Sequence, residues 1–186
     1  MHVAQVEVVV ARLDVDQEAV HALSAWLSDE ERQRAGRFRL ARDRRRYTVA
    51  RGRLRQLLAD RLCTHPRLVA LCYGAHGKPR LAPGSAAADW RFNVSHSGDL
   101  ALLAFCRGRE LGIDVEAVHA VQDADSIAAW YFPPRELAAF LSLAPSDKAL
   151  GDGLHRPPMR SDDTDWRLHG FCPESGYVAA LAVERS

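Results

Sequence analysis

Two stretches, the apolar run Leu100 to Cys106 and the segment Leu111 to Val115, are separated by only four residues. Both read as β-strands, and Arg107-Gly108-Arg109-Glu110 between them suits a hairpin turn. An isolated hairpin is marginal in water, so other elements must pack on this pair.

The rest of the chain supplies them. Val6 to Leu13, Leu68 to Tyr73 and a short stretch from Phe92 to Val94 read as further strands. Trp166 to Phe171 and Tyr177 to Val183 read as a closing hairpin around Pro173 to Gly176. Ala19, Val20, Leu23, Trp26 and Leu27 follow helical spacing. Ser28 and Glu31 have the spacing of a capping box, which starts a short second helix. Tyr47, Ala50, Leu54, Leu57, Leu58 and Leu62 mark one face of a long helix that Pro66 ends. Its other face carries Arg44, Arg45, Arg51, Arg53 and Arg55. Gly74 to Pro83 reads as a loop. Helices are expected near Asp125 to Tyr131 and from Pro134 to Leu143, then a loop from Ala144 to Thr164. The class is α+β, with antiparallel strands and helices packed on them.

With 186 residues, 47% of them hydrophobic, the chain can bury a real core as one domain or two packed halves. Its start lacks the basic and long apolar stretches of a signal peptide, and no run approaches the roughly 18 apolar residues of a membrane span. The default location is the cytoplasm. Cys63, Cys72, Cys106 and Cys172 form no CxxC pair and read as reduced, mostly buried thiols. The net charge of +1 hides an asymmetry: from Arg32 to Arg67 stand thirteen arginines against Asp43 and Asp60. Such a segment suits an anionic partner or a solvated helix face.

Asp114 and Glu116 are two apart on an expected strand, so both point to one face while Ile113 and Val115 point to the other. Two adjacent carboxylates repel unless a cation or basic groups intervene, and oxygen ligands of this kind suit Mg²⁺. A solvated strand face gives the same pattern. Ser95-His96-Ser97 could cap a turn or hold phosphate oxygens. Adjacent residues make a poor nucleophile and base pair, and there is no G-x-S-x-G elbow.

The order Phe92-Asn93-Val94-Ser95-His96-Ser97, then strands, then Gly112-Ile113-Asp114-Val115-Glu116 is specific. It resembles the signature of the 4'-phosphopantetheinyl transferases of the surfactin-synthetase-activating type. Gly77-Lys78-Pro79, Arg34 to Phe38, Asp43 to Arg46, the segment Trp130 to Glu136 and the closing G-Y-x-x-A-L-A strand resemble the family too. The resemblance implies two similar α+β halves related by a pseudo-twofold, 1–99 and 100–186, with coenzyme A at their junction. It implies transfer of phosphopantetheine from coenzyme A to a serine of an apo acyl or peptidyl carrier protein, releasing 3',5'-ADP. Asp114 and Glu116 would be Mg²⁺ ligands and catalytic residues, together with Lys148. His96 and Arg46 would bind the 3'-phosphate, Ser95 and Lys78 the nucleotide, and Arg34 the phosphates. A monomer without membrane or nucleic-acid partners is expected.

One departure stands out. The family's W-x-x-K-E-x-x-x-K motif, which supplies a third acidic residue, is matched only by Lys148 as its final lysine. Pro145-Ser146-Asp147 stand where its earlier residues belong. Roughly one to two dozen residues are missing, the length of a helix and loop. Glu136 and Asp147 are the nearest substitutes by chain position. Weak or absent activity is therefore expected, and the alternative is a degenerate homologue that binds coenzyme A or a carrier protein without catalysis. A third reading, nucleic-acid binding, rests on the arginine segment alone, with no recognisable motif.

Overall fold

The computed structural model describes residues 2–3, 6–74, 77–83, 89–118, 129, 134–142 and 166–185. β1 (His2–Val3) and β2 (Val6–Arg12) are followed by α1 (Gln17–Ser24), α2 (Asp29–Gly36) and α3 (Ala41–Leu62). Next come β3 (Leu71–Tyr73), β4 (Pro79–Leu81), β5 (Trp90–Ser97), β6 (Leu100–Arg107) and β7 (Leu111–Ala117). Helix α4 (Pro134–Leu141) precedes β8 (Trp166–Phe171) and β9 (Tyr177–Glu184). The strands form an antiparallel sheet in the order β1-β2-β6-β5, a second in the order β7-β9-β8, and a small β3–β4 ribbon. The mixed α+β class expected from the sequence holds. No helix among the described residues is long and apolar enough to cross a membrane.

β6 explains the layering. Every residue from Leu100 to Cys106 is buried, because each face of the strand meets a different core. Ala101, Leu103 and Phe105 pack against Leu23 of α1 and Val49, Leu54 and Leu58 of α3. Leu100, Leu102 and Ala104 pack with Ile113 and Val115 of β7 and Leu181 and Val183 of β9. The order of layers is helices, first sheet, second sheet. A strand covered on both faces has no use for polar alternation, which is why this one is uniformly apolar. Each such leucine contributes about 1.5–3 kcal/mol relative to an exposed one.

The expected hairpin between β6 and β7 is absent. β6 pairs with β2 along one edge and β5 along the other, so neither edge is left for β7. The chain turns through Arg107 to Glu110 and leaves for the second sheet, where β7 pairs with β9. Smaller differences follow local chemistry. α3 stops at Leu62, with Cys63 in the left-handed region at φ 48°, and Pro66 instead opens a 3-10 turn over Pro66–Leu68. That turn shortens the expected strand to Leu71–Tyr73. Residues 79–81, read as loop, pair with it. β5 runs well beyond Phe92 to Val94. The helix expected near Asp125 to Tyr131 and most of the loop from Ala144 to Thr164 lie outside the described residues.

The arginine face of α3 is not uniformly solvated. Arg55 is 3% exposed, and its Nε donates to Glu31 Oε2 at 2.6 Å, with Glu31 itself 2% exposed. Arg55 Nη1 also donates to the carbonyls of Pro66 and Val69, both at 3.0 Å. One guanidinium thus ties α2, α3 and the following connection together. Glu31 also completes the expected capping box with Ser28. α1 and α3 cross closely at Gly52, where an added Cβ would meet Leu23 Cβ at 2.7 Å.

The cysteines correct another expectation. Cys106 is buried, Cys72 half-buried, and Cys63 and Cys172 exposed, all with free thiols. Burial pushes the Cys106 thiol above its ordinary value, so less reactive thiolate is present at a given pH.

Two outcomes follow. Arg55→Ala removes the shorter of two arginine contacts to buried Glu31, leaving Arg51 Nε at 3.6 Å from Oε1, and empties a buried guanidinium site. It costs about 3 kcal/mol, at the lower end for a broken buried pair, measured by urea unfolding. Iodoacetamide at pH 8, read by peptide mass spectrometry, labels Cys63 and Cys172 in the native protein and spares Cys106 until denaturant is added.

Candidate functional site

β5 and β7 are edge strands of different sheets, and they lie side by side. No backbone ladder joins them. Side chains of β5 take its place. Asn93, Ser95 and Ser97 recur at every second position and so share one strand face. Asn93 Oδ1 accepts from the Ile113 amide at 3.2 Å. Ser95 Oγ accepts from the Val115 amide at 3.3 Å, and Ser97 Oγ from the Ala117 amide at 3.0 Å. The repeated register shows that β5 and β7 run in the same direction.

Each serine hydroxyl also donates. Ser95 Oγ donates to Asp114 Oδ1 at 2.7 Å, and Ser97 Oγ donates to Glu116 Oε2 at 3.0 Å. A hydroxyl carries one proton and two lone pairs, so the amide and the carboxylate together fix its rotation. Asp114 and Glu116 are exposed and alternate with buried Ile113 and Val115, as the strand pattern required. Each serine engages one oxygen of its carboxylate and leaves the other for a further partner. Two carboxylates on one face suit Mg²⁺, which commonly takes one or two protein carboxylates plus substrate phosphates. Among the described residues, no group of three or more His, Cys, Asp or Glu side chains is placed to hold a metal.

Ser95-His96-Ser97 is strand rather than turn, and the turn falls at the next two residues, Gly98 and Asp99. His96 is exposed and lies on the opposite face of β5 from Ser95, the face of Phe92 and Val94 that packs toward α3. This alternation rules out a Ser95–His96 nucleophile pair. Arg46, in the first turns of α3, donates from Nε to Asp99 Oδ1 at 2.8 Å. That bond, against a smaller opposing cost of burial, raises the guanidinium above its ordinary value. Asp99 also accepts the Leu13 amide through its carbonyl at 2.8 Å, which pins the turn to the first sheet.

Two further residues lie apart from this cluster. Lys78 donates from Nζ to the Leu111 carbonyl at 3.0 Å. Leu111 is the start of β7, roughly 10 Å of strand before Asp114. A cleft lined by Lys78, Arg80, Trp90, Arg91 and Glu110 opens there. Arg34, in the last turn of α2, is exposed and stands 5.9 Å over the Tyr47 ring. Lys148 and Asp147 lie outside the described residues, as does the side chain of Glu136. The structure therefore brings Ser95, Asp114 and Glu116 together, and adds Asn93 and Ser97, to which no separate role attached in the sequence. The signal was present: Asn93, Ser95 and Ser97 are three polar residues at strand spacing beside an apolar row.

The sequence profile described as 4'-phosphopantetheinyl transferase, N-terminal, matches residues 15–107. A relative from Nostoc sp., 4'-phosphopantetheinyl transferase HetI, is 33% identical over 199 aligned residues, covering 92% of this chain and 84% of its own. The chain belongs to the 4'-phosphopantetheinyl transferases. A phosphopantetheinyl transferase from Thraustochytrium sp. is 27% identical, over 87% of this chain and 54% of the relative. The L-aminoadipate-semialdehyde dehydrogenase-phosphopantetheinyl transferase of Homo sapiens is 36% identical, over 48% of this chain and 29% of the relative. The chain thus spans most of one phosphopantetheinyl transferase and about half or less of the other two. The 199 aligned positions with HetI exceed the 186 residues of this chain, so that transferase carries residues with no counterpart here.

The turn that ends β5 gives a direct test of the local geometry. Gly98 has φ +56°, and an added Cβ would meet Tyr177 Oη at 3.0 Å. Gly98→Ala costs about 1–2 kcal/mol from the left-handed backbone alone. Gly98→Asn costs less, because asparagine tolerates that region. Urea unfolding of the two variants measures the order.

Proposed function

We propose that this transferase moves the 4'-phosphopantetheine arm of coenzyme A onto a serine of an apo acyl or peptidyl carrier protein. The carrier serine oxygen bonds to the phosphorus that bears the pantetheine. The bond from that phosphorus to the bridging pyrophosphate oxygen breaks, 3',5'-ADP leaves, and a base takes the serine proton. The observation that carries the reading is the pair Asp114 and Glu116, each held by a serine of the Ser95-His96-Ser97 segment.

In this reading Asp114 and Glu116 hold Mg²⁺, which offsets the charge of the pyrophosphate. Lys148 is the third catalytic residue and adds positive charge to the phosphates. His96 and Arg46 bind the 3'-phosphate, and the Asp99 contact aims the Arg46 guanidinium. Ser95 and Lys78 contact the nucleotide, and Arg34 the phosphates. The enzyme is of the surfactin-synthetase-activating type, cytoplasmic and monomeric. Its halves are 1–99 and 100–186, related by a pseudo-twofold, with β6 of the second completing the first sheet.

A second reading has a specific observation behind it. The W-x-x-K-E part of the family's third motif has no match in this sequence, and HetI carries residues without counterpart here. A chain short of a third acidic residue binds coenzyme A or carrier protein without turning over.

The experiment combines the protein with Mg²⁺, coenzyme A and an apo carrier protein and reads the carrier by mass spectrometry. A phosphopantetheine adduct with wild type and none with Asp114→Ala is the expected result. No adduct from a wild type that still binds coenzyme A establishes the second reading.

A further inference from the structure

We propose that Ser97 is a positioning residue for a divalent cation at Glu116, and that it makes cation affinity depend on the docking of the two sheets. This rests on the reading of Asp114 and Glu116 as metal ligands. Glu116 is exposed, and a glutamate side chain loses rotamer freedom when it is ordered. A ligand that must be ordered on binding loses affinity accordingly. Ser97 orders it beforehand. Its hydroxyl accepts the Ala117 amide at 3.0 Å and so has its proton turned to Glu116 Oε2, also at 3.0 Å.

The same construction recurs one strand step earlier. Ser95 accepts from Val115 and donates to Asp114. Serines two apart on β5 thus serve carboxylates two apart on β7, each serine bonding the carboxylate and the amide that follows it. Asn93 continues the row with the Ile113 amide and reaches no carboxylate. The row therefore does two separable things. All three residues join the sheets, and only the serines touch the carboxylates. Because one hydroxyl performs both tasks at Ser97, slippage of β7 along β5 would release Glu116 as well as the amide.

The test is direct titration of the whole protein with Mn²⁺ alone, free Mn²⁺ being read by electron paramagnetic resonance. Ser97→Ala is expected to weaken Mn²⁺ binding by about tenfold to a hundredfold, the usual effect of removing a group that orients a metal ligand. Ser97→Thr, which keeps the hydroxyl, stays near wild type. Thermal melts run alongside, since a purely structural staple would lower the melting temperature of Ser97→Ala and leave Mn²⁺ affinity unchanged. That outcome, with Asp114→Ala losing the metal, overturns the inference and leaves the metal reading standing. Equal binding by wild type and Asp114→Ala overturns the metal reading and the inference with it. Should Ser97→Ala not fold, Ser97→Cys substitutes a weak donor of similar shape, and wild-type affinity in that variant also overturns the inference.

Discussion

Strand β6 has no free side. Helices cover one face, the second sheet covers the other, and β2 and β5 occupy its edges. Everything downstream depends on that enclosure. The chain cannot fold back on β6, so β7 has to start a new sheet. It does so in contact with the apolar residues that β6 presents to it, and Leu111, Ile113 and Val115 meet Leu100, Leu102 and Ala104 in one core. The opposite alternation of β7 then leaves Asp114 and Glu116 outside.

A seam between two sheet edges is normally a liability, because unpaired backbone groups there invite other strands. Here the seam is filled from the side. Asn93, Ser95 and Ser97 satisfy the β7 amides, and the remaining serine protons go to the carboxylates. The interaction that closes the fold is also the one that shapes the candidate site. A scaffold of this kind holds functional groups on rigid strands instead of loops, which favours reproducible geometry.

The basic segment divides in a similar way. Thirteen arginines between Arg32 and Arg67 could all have faced an anionic partner. Arg55 instead pairs inside the protein with Glu31, and Arg61 with Glu7. Arg34 remains exposed. The charge run was therefore a guide to partners only in part, because acids that neutralise it come from distant points of the chain.

Local chemistry made much of this protein readable from residues alone. Alternation put Asp114 and Glu116 on one face, helical spacing marked α1 and α3, Ser28 and Glu31 marked the start of α2, and the ordered motifs pointed to the family. These features act over a few residues, through periodicity and nearby hydrogen bonds. The partner of each strand edge, the burial of Arg55 and the meeting of Ser97 with Glu116 were beyond such reasoning. They depend on which surfaces compete for the same apolar cover and the same hydrogen-bond donors. That competition is settled only when segments far apart in sequence pack together, and here it turned an expected hairpin into a junction between two sheets.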